Sequence, residues 1–217
     1  MARKRVGVLI SGRGSNLQVL IEASTAAAYP AEIVLVISNV PGAAGLARAE
    51  AAGIPTLTIN HKDFASRANF DSALDAALNQ ARVELLCNAG FMRLHSEGFV
   101  ERWRDRHLNI HPSLLPAFPG LHTHERVIEA GVRLSGCTVH VVRHAMDAGP
   151  IVAQAAVPVL ANDSPKTLAA RVLQAEHRLY PHALALIASG TMRIEGERVV
   201  GRAEEPAQPP LFSPRCP

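Results

Sequence analysis

Asn109 and His111 stand two residues apart where a short apolar run, Leu108-Asn109-Ile110-His111, enters a loop broken by Pro112 and Pro116. Residues i and i+2 of a strand project from one face, so the amide and the imidazole can address the same reacting atom. An imidazole titrates near neutrality, and a carboxamide donates hydrogen bonds without titrating. The pair suits proton transfer combined with stabilisation of a developing oxyanion. Asp147, in Met146-Asp147-Ala148-Gly149-Pro150, offers a carboxylate to orient or charge that imidazole. On residue chemistry alone another reading stays open, in which the histidine and asparagine only tie down a turn.

A second chemical segment is Gly12-Arg13-Gly14-Ser15-Asn16, between an apolar run and a helix-like stretch. Backbone N–H groups at such a junction can converge on a phosphate, helped by the helix dipole. The third glycine of a dinucleotide fingerprint would fall at Leu17, which argues against a nicotinamide cofactor and for a lone phosphate. A plain glycine turn capped by Ser15 or Asn16 is the alternative. Gly90-Phe91-Met92-Arg93-Leu94 also follows an apolar run, and Phe91 reads as a packing residue. Ten histidines raise the question of a metal. The pairs His122/His124, His140/His144 and His177/His182 have neither a cysteine partner nor a His-Glu-x-x-His pattern, so no metal is expected.

Asn109-Ile110-His111-Pro112-Ser113-Leu114-Leu115-Pro116, followed by Asp147-Ala148-Gly149-Pro150, resembles the catalytic signature of the folate-dependent formyltransferases. The segment from Ile10 to Gln18, Ala89-Gly90-Phe91-Met92-Arg93, Pro119-Gly120-Leu121-His122-Thr123-His124 and Gln174-Ala175-Glu176-His177 resemble further segments of the branch that formylates glycinamide ribonucleotide. The likeness runs from about residue 6 to about residue 201. It implies transfer of the formyl group of 10-formyltetrahydrofolate, a co-substrate, to the primary amine of glycinamide ribonucleotide in purine synthesis. The implied route is direct attack through a tetrahedral oxyanion, with no metal, no nucleotide cofactor and no covalent enzyme intermediate.

The same resemblance implies catalytic roles for Asn109, His111 and Asp147. It implies substrate binding by Gly12, Arg13, Gly14, Ser15 and Asn16 on the phosphate and by Glu176 on the glycinamide-ribose part. Folate contacts are implied for Arg67, Met92, Arg93, Leu94, His95, Asn109, Arg143, His144, Ala145, Met146 and Asp147. Arg13 stands where the family commonly has asparagine, and Arg143 and His144 where it usually has acidic residues. Two related activities remain as alternatives, formyltetrahydrofolate hydrolysis and formyl transfer to another amine. Methionyl-tRNA formyltransferase has an additional C-terminal domain and the hydrolase an N-terminal regulatory one, and neither is expected here. A non-catalytic phosphate-binding module would explain residues 12–16 but leave Asn109, His111 and Asp147 without a purpose.

Short β-branched runs alternate with alanine-rich helical stretches, the pattern of βαβ units and a parallel sheet. Strands are expected over residues 6–10, 33–38, 56–59, 85–89 and 108–110, with helices over 16–26, 43–52 and 67–80. Three of the chemical segments then follow a strand, where ligands bind in open α/β sheets. Residues 138–142 and 151–159 read as neighbouring strands around the Asp147 loop, with antiparallel pairing open to them. Ser164 and Pro165 mark the start of a long helix running to about residue 186, which Pro181 should kink or restart. The fold class is α/β: one Rossmann-like formyltransferase domain over residues 1–201, a mostly parallel twisted sheet flanked by helices. A Pro-rich, flexible tail is expected over residues 202–217.

The 217 residues suffice for one domain with a sizeable core. Hydrophobic content of 48% with 19% charged residues is that of a globular chain, without the long apolar run of a membrane span. The apolar start at residues 6–10 is too short for a signal peptide, and Cys87, Cys137 and Cys216 are odd in number without a Cys-x-x-Cys pair. Both point to a cytoplasmic protein. A net charge of +3 with dispersed basic residues and 4% aromatics favours small anionic ligands over nucleic acid. Monomer and homodimer are equally compatible with the sequence.

Overall fold

The computed structural model describes residues 2–201 and Ser213. Its elements are β1 (Lys4–Ile10), α1 (Ser15–Ser24), β2 (Ala31–Ser38), α2 (Ala44–Ala51), β3 (Thr56–Thr58), α3 (Arg67–Gln80), β4 (Leu85–Asn88), α4 (Glu97–Arg102), β5 (His107–His111), α5 (Thr123–Glu129), β6 (Leu134–Val141), β7 (Ile151–Pro158), α6 (Pro165–Ala188), β8 (Met192–Glu195) and β9 (Arg198–Gly201). Seven strands form one sheet in the order β3-β2-β1-β4-β5-β6-β7. The first five are parallel, whereas β6 is antiparallel to β5 and β7 to β6. A separate two-stranded hairpin is formed by β8 and β9.

Period-two alternation divides the core between the two faces of the sheet. Val6, Val8 and Ile10 of β1 pack with Leu17, Leu20, Leu46, Tyr180 and Leu184 from α1, α2 and α6. Leu9 faces the opposite layer with Phe70, Leu74 and Leu78 from α3, Phe99 from α4 and Trp103 at the end of α4. Burying each such side chain contributes about 1.5–3 kcal/mol, and both faces must be covered because the parallel strands are apolar throughout. The parallel order reverses between β1 and β4, so the loops leaving those strands open a crevice at the C-terminal edge of the sheet. There Ser11 N–H donates to Gly90 O at 3.1 Å and Met92 N–H donates to Ser11 Oγ at 2.8 Å.

The structure decides between sequence alternatives at two places. Of the two effects expected of Pro181, a restart does not occur, and α6 runs unbroken over 24 residues. Proline removes one N–H, but buried Tyr180, Ala183 and Leu184 flank it on the packed face and hold the helix across it. The alternative of a turn capped by Ser15 or Asn16 does not form, since Gly14 occupies the cap position of α1 without any side-chain hydrogen bond. The short helices α4 and α5 and the β8–β9 hairpin were not anticipated. Leu115–Pro116 is cis. Among the described residues no helix is long and apolar enough to cross a membrane. The expected tail and Cys216 lie outside the described residues, apart from Ser213.

Candidate active site

Asn109 and His111 occupy the last turn of pleat in β5, and their side chains converge with Asp147. His111 Nδ1 lies 3.4 Å from Asp147 Oδ2, with both side chains about nine-tenths buried. His111 Nε2 is 3.0 Å from the carbonyl of Phe118. Both ring nitrogens therefore face acceptors, and the protonated ring donates at each. Asp147 itself sits in the left-handed region at φ 55°, a conformation that aspartate tolerates better than most residues. Its Oδ2 accepts from Gly120 N–H at 2.8 Å. Burial alone would raise the Asp147 carboxyl, but the adjacent His140 ring, the Gly120 N–H and the nearby His111 ring hold it below the ordinary carboxylate range.

His140 completes this cluster and was missed as a functional residue in the sequence. It is the cross-strand partner of Asn109 in the antiparallel β5–β6 pair. Asn109 Nδ2 donates to His140 Nε2 at 3.1 Å, and His140 Nδ1 meets Val141 O at 3.1 Å. Asp147 Oδ1 is 3.6 Å from the same Nε2. The carboxamide is thus steered by a ring while keeping a second N–H for another acceptor. The signal that could have found His140 is strand register, since its spacing from Asn109 in sequence carries no meaning of its own.

The glycine loop forms as a phosphate cradle would require. With no side-chain cap, the first-turn N–H groups of α1 keep their donor capacity at the positive end of the helix. Gly14 has φ 70°, and a Cβ there would sit 2.6 Å from Gly45 Cα, so neither alanine nor a larger residue fits. Gly45 N–H donates to Gly12 O and Arg48 Nε to Arg13 O, both at 3.0 Å, fastening the loop to α2. Arg13 is exposed, and Ser15 is half-buried.

Asn16 is buried and donates from Nδ2 to Glu176 Oε2 at 2.8 Å, joining the loop to α6. Glu176 is only 7% exposed, so it is no surface carboxylate. Burial pushes its carboxyl above the ordinary value, and the Asn16 amide offsets that in part. Asn16 Oδ1 is buried and has no partner among the described residues.

The anticipated folate-facing residues divide. Met92 and Leu94 are 67% and 55% exposed and Met146 is 54% exposed, an apolar surface beside the crevice. Arg93, His144 and Ala145 are exposed, as is Arg67 in the first turn of α3, and no hydrogen bond or ion pair joins Arg67 to the Asn109–His111–Asp147 cluster. His95 departs from the expected slot. Its ring is buried between Phe91 and Phe99, with centroids at 5.2 and 4.4 Å, and its Nδ1 pairs with buried Asp71 at 3.2 Å. An aromatic flanked by aromatics and tied to a core carboxylate serves packing. Arg143 also turns away from solvent, onto Asp105 and Glu197.

Cys87 and Cys137 are buried free thiols, each pushed up to about 12 by burial, so neither supplies a thiolate near neutrality. Among the described residues no three His, Cys, Asp or Glu side chains are grouped to hold a metal.

The chain matches the formyl transferase family model over residues 4–184. It is 55% identical over 197 residues to the trifunctional purine biosynthetic protein adenosine-3 of Drosophila melanogaster, covering 90% of this chain and 15% of that protein. The chain therefore spans about a seventh of the length of that relative. It is 43% identical over 187 residues to phosphoribosylglycinamide formyltransferase of Escherichia coli, covering 86% of this chain and 88% of the relative. The crystal structure of phosphoribosylglycinamide formyltransferase from Brucella melitensis superposes with a TM-score of 0.83 at 56% identity, covering 87% of this chain and 97% of that one.

Proposed function

The chain belongs to the formyl transferase family, and from that premise we propose that it moves the formyl group of 10-formyltetrahydrofolate to the primary amine of N1-(5-phospho-D-ribosyl)glycinamide in purine synthesis. The observation that carries this reading is the convergence of Asn109, His111 and Asp147 at the open edge of the sheet, beside an uncapped helix N-terminus suited to a phosphate.

The residues present fit both substrates. The N–H groups of residues 12–16 and exposed Arg13 meet the phosphate. Glu176 offers a buried carboxylate toward the glycinamide-ribose part, and the unpartnered Asn16 Oδ1 beside it awaits a donor. Met92, Leu94 and Met146 present apolar surface suited to a flat pterin, with Arg67 and Arg93 available to the folate's anionic end.

When bound, the formyl-folate supplies the electrophilic carbon, and attack by the amine builds negative charge on the formyl oxygen. Asn109 donates a hydrogen bond to that charge through the N–H not engaged by His140. His111, with the Asp147 carboxylate beside it, adds a second donor when protonated and relays the amine proton toward the departing nitrogen. Its bond to Phe118 O is exchanged for substrate in that step. Holding both reactants in line supplies much of the remaining rate. The reading places residues 1–201 as the catalytic domain of a cytoplasmic monomer or homodimer.

A steady-state assay with glycinamide ribonucleotide and the formyl-folate donor tests the proposal. Formylated product is expected with stoichiometric release of tetrahydrofolate. Formate release independent of the amine would identify a hydrolase instead, and no turnover of either kind would leave only a binding module.

A further inference from the structure

The loop that carries Asp147 is fastened at two places. At its inner end the Asp147 carboxylate holds Gly120, His111 and His140. At its base the chain is pinched shut, with Val141 N–H donating to Pro150 O at 2.8 Å. A Cβ on Gly149 would lie 1.7 Å from Val141 O and 3.1 Å from Arg143 Cγ, so the arginine stem lies directly over the exit of the loop. Between these points Ala145 and Met146 are exposed.

Arg143 reaches from that base into two other parts of the fold. Its Nη2 meets Asp105 Oδ1 at 2.7 Å, and its Nε meets Glu197 Oε2 at 3.0 Å. Further bonds go to the carbonyls of Gly196 and Val142, both at 3.3 Å. The side chain is 9% exposed although its partners Asp105 and Glu197 are 43% and 59% exposed. Asp105 is held at φ 61° in the turn before β5, the strand of Asn109 and His111. Glu197 lies in the turn of the β8–β9 hairpin and is also gripped by Arg104 at 2.8 Å. One planar guanidinium, with five donors, therefore ties the Asp147 loop to the entry of the catalytic strand and to the hairpin.

We propose that Arg143 is a positioning residue, which through Asp105 and Glu197 sets the Asp147 loop against β5 and so fixes the carboxylate on His111. The proposal rests on the catalytic reading above. It also assigns the β8–β9 hairpin a purpose, since Glu197 is the outer anchor of the latch. Reacting groups displaced by about 1 Å lose up to about a hundredfold in rate, so a latch some distance from the chemistry still acts on it.

The test uses the full chain with Arg143→Met, which keeps the length of the stem and removes its charge, together with Glu197→Gln and Arg143→Lys. Amide hydrogen exchange is followed in residues 144–148 and in β5, and Michaelis constants are measured for both substrates. In Arg143→Met the loop amides should exchange at least about fivefold faster, with β5 unchanged. Turnover should fall and the formyl-folate Michaelis constant should rise, while that for glycinamide ribonucleotide stays within about twofold. Glu197→Gln should move the same quantities less, and Arg143→Lys should recover part of the loss. Parent-like loop exchange and folate constant in Arg143→Met would overturn the proposal. So would exchange rising equally throughout the fold, or both Michaelis constants rising together. If the parent chain formylates nothing in this assay, the functional reading fails, while loop exchange still decides whether the latch exists.

Discussion

Asn109 and His111 were legible because an i, i+2 pair in a strand needs no tertiary knowledge to be placed on one face. Asp147 was legible as a carboxylate in a Gly/Pro-bounded loop and its pairing with His111 was sharpened by the resemblance, whereas His140 was not, since a partner across an antiparallel pair is set by register. If Asn109 is a main oxyanion donor, Asn109→Ala should lower kcat by about 10²–10³, and His111→Ala by at least as much. A change confined to either Michaelis constant would make these binding residues. Glu176 gives a prediction with a sign. Burial raises its pKa in the folded chain, so its ionisation opposes folding. That penalty is absent below the unfolded pKa, grows as pH rises between the two values, and is complete above the folded one. Glu176→Gln keeps an acceptor for Asn16 and removes the charge. Its melting temperature should exceed the parent's at pH 7–8, with the difference vanishing at about pH 4 and below. The Michaelis constant for glycinamide ribonucleotide should rise at the same time. A variant less stable than the parent at neutral pH would refute the burial argument.

Parallel strands buried on both faces read as continuous apolar runs, which is why the β1, β2, β4 and β5 segments stood out in the sequence. So did α6, whose Ser164 accepts from Thr167 N–H in a capping box with Pro165 in the first turn. The short elements α4 and α5 carry too few turns for a period to show, and the β8–β9 hairpin too few residues. Ser15 and Asn16 are good capping types, but close contact with Gly45 sets the junction at Gly14. Gly14→Ala tests that junction. A left-handed φ in a non-glycine residue costs about 1–2 kcal/mol, and the new Cβ must push α1 from α2. The expected result is a lower melting temperature and a Michaelis constant for glycinamide ribonucleotide that rises more than that for the folate. Equal rises in both constants would mean that the loop does not belong to the phosphate side.

At the scale of the whole molecule, the layered α/β body followed from alternating strand and helix patterns. The interior of the second layer did not. His95, buried Asp71 and His107 look polar in a sequence, yet they are packed among Phe91, Phe99 and Trp103. Burial of that kind is decided by partners distant in the chain, here an Asp71 carboxylate that also accepts from Ser96 N–H. The three apolar clusters, with the hydrophobics packed against them, draw on residues 6–199 among those described. The last described strand, β9, pairs with β8 alone. Residues 204–217 have several prolines, few large apolar side chains and no periodicity, a composition that predicts a dispensable terminus. Removing them should leave the melting temperature within about 2 °C of the parent and turnover unchanged, as scanning calorimetry and the steady-state assay would record. If either drops substantially, Leu211 and Phe212 must pack against the body, and residue 201 is not the end of the folded unit.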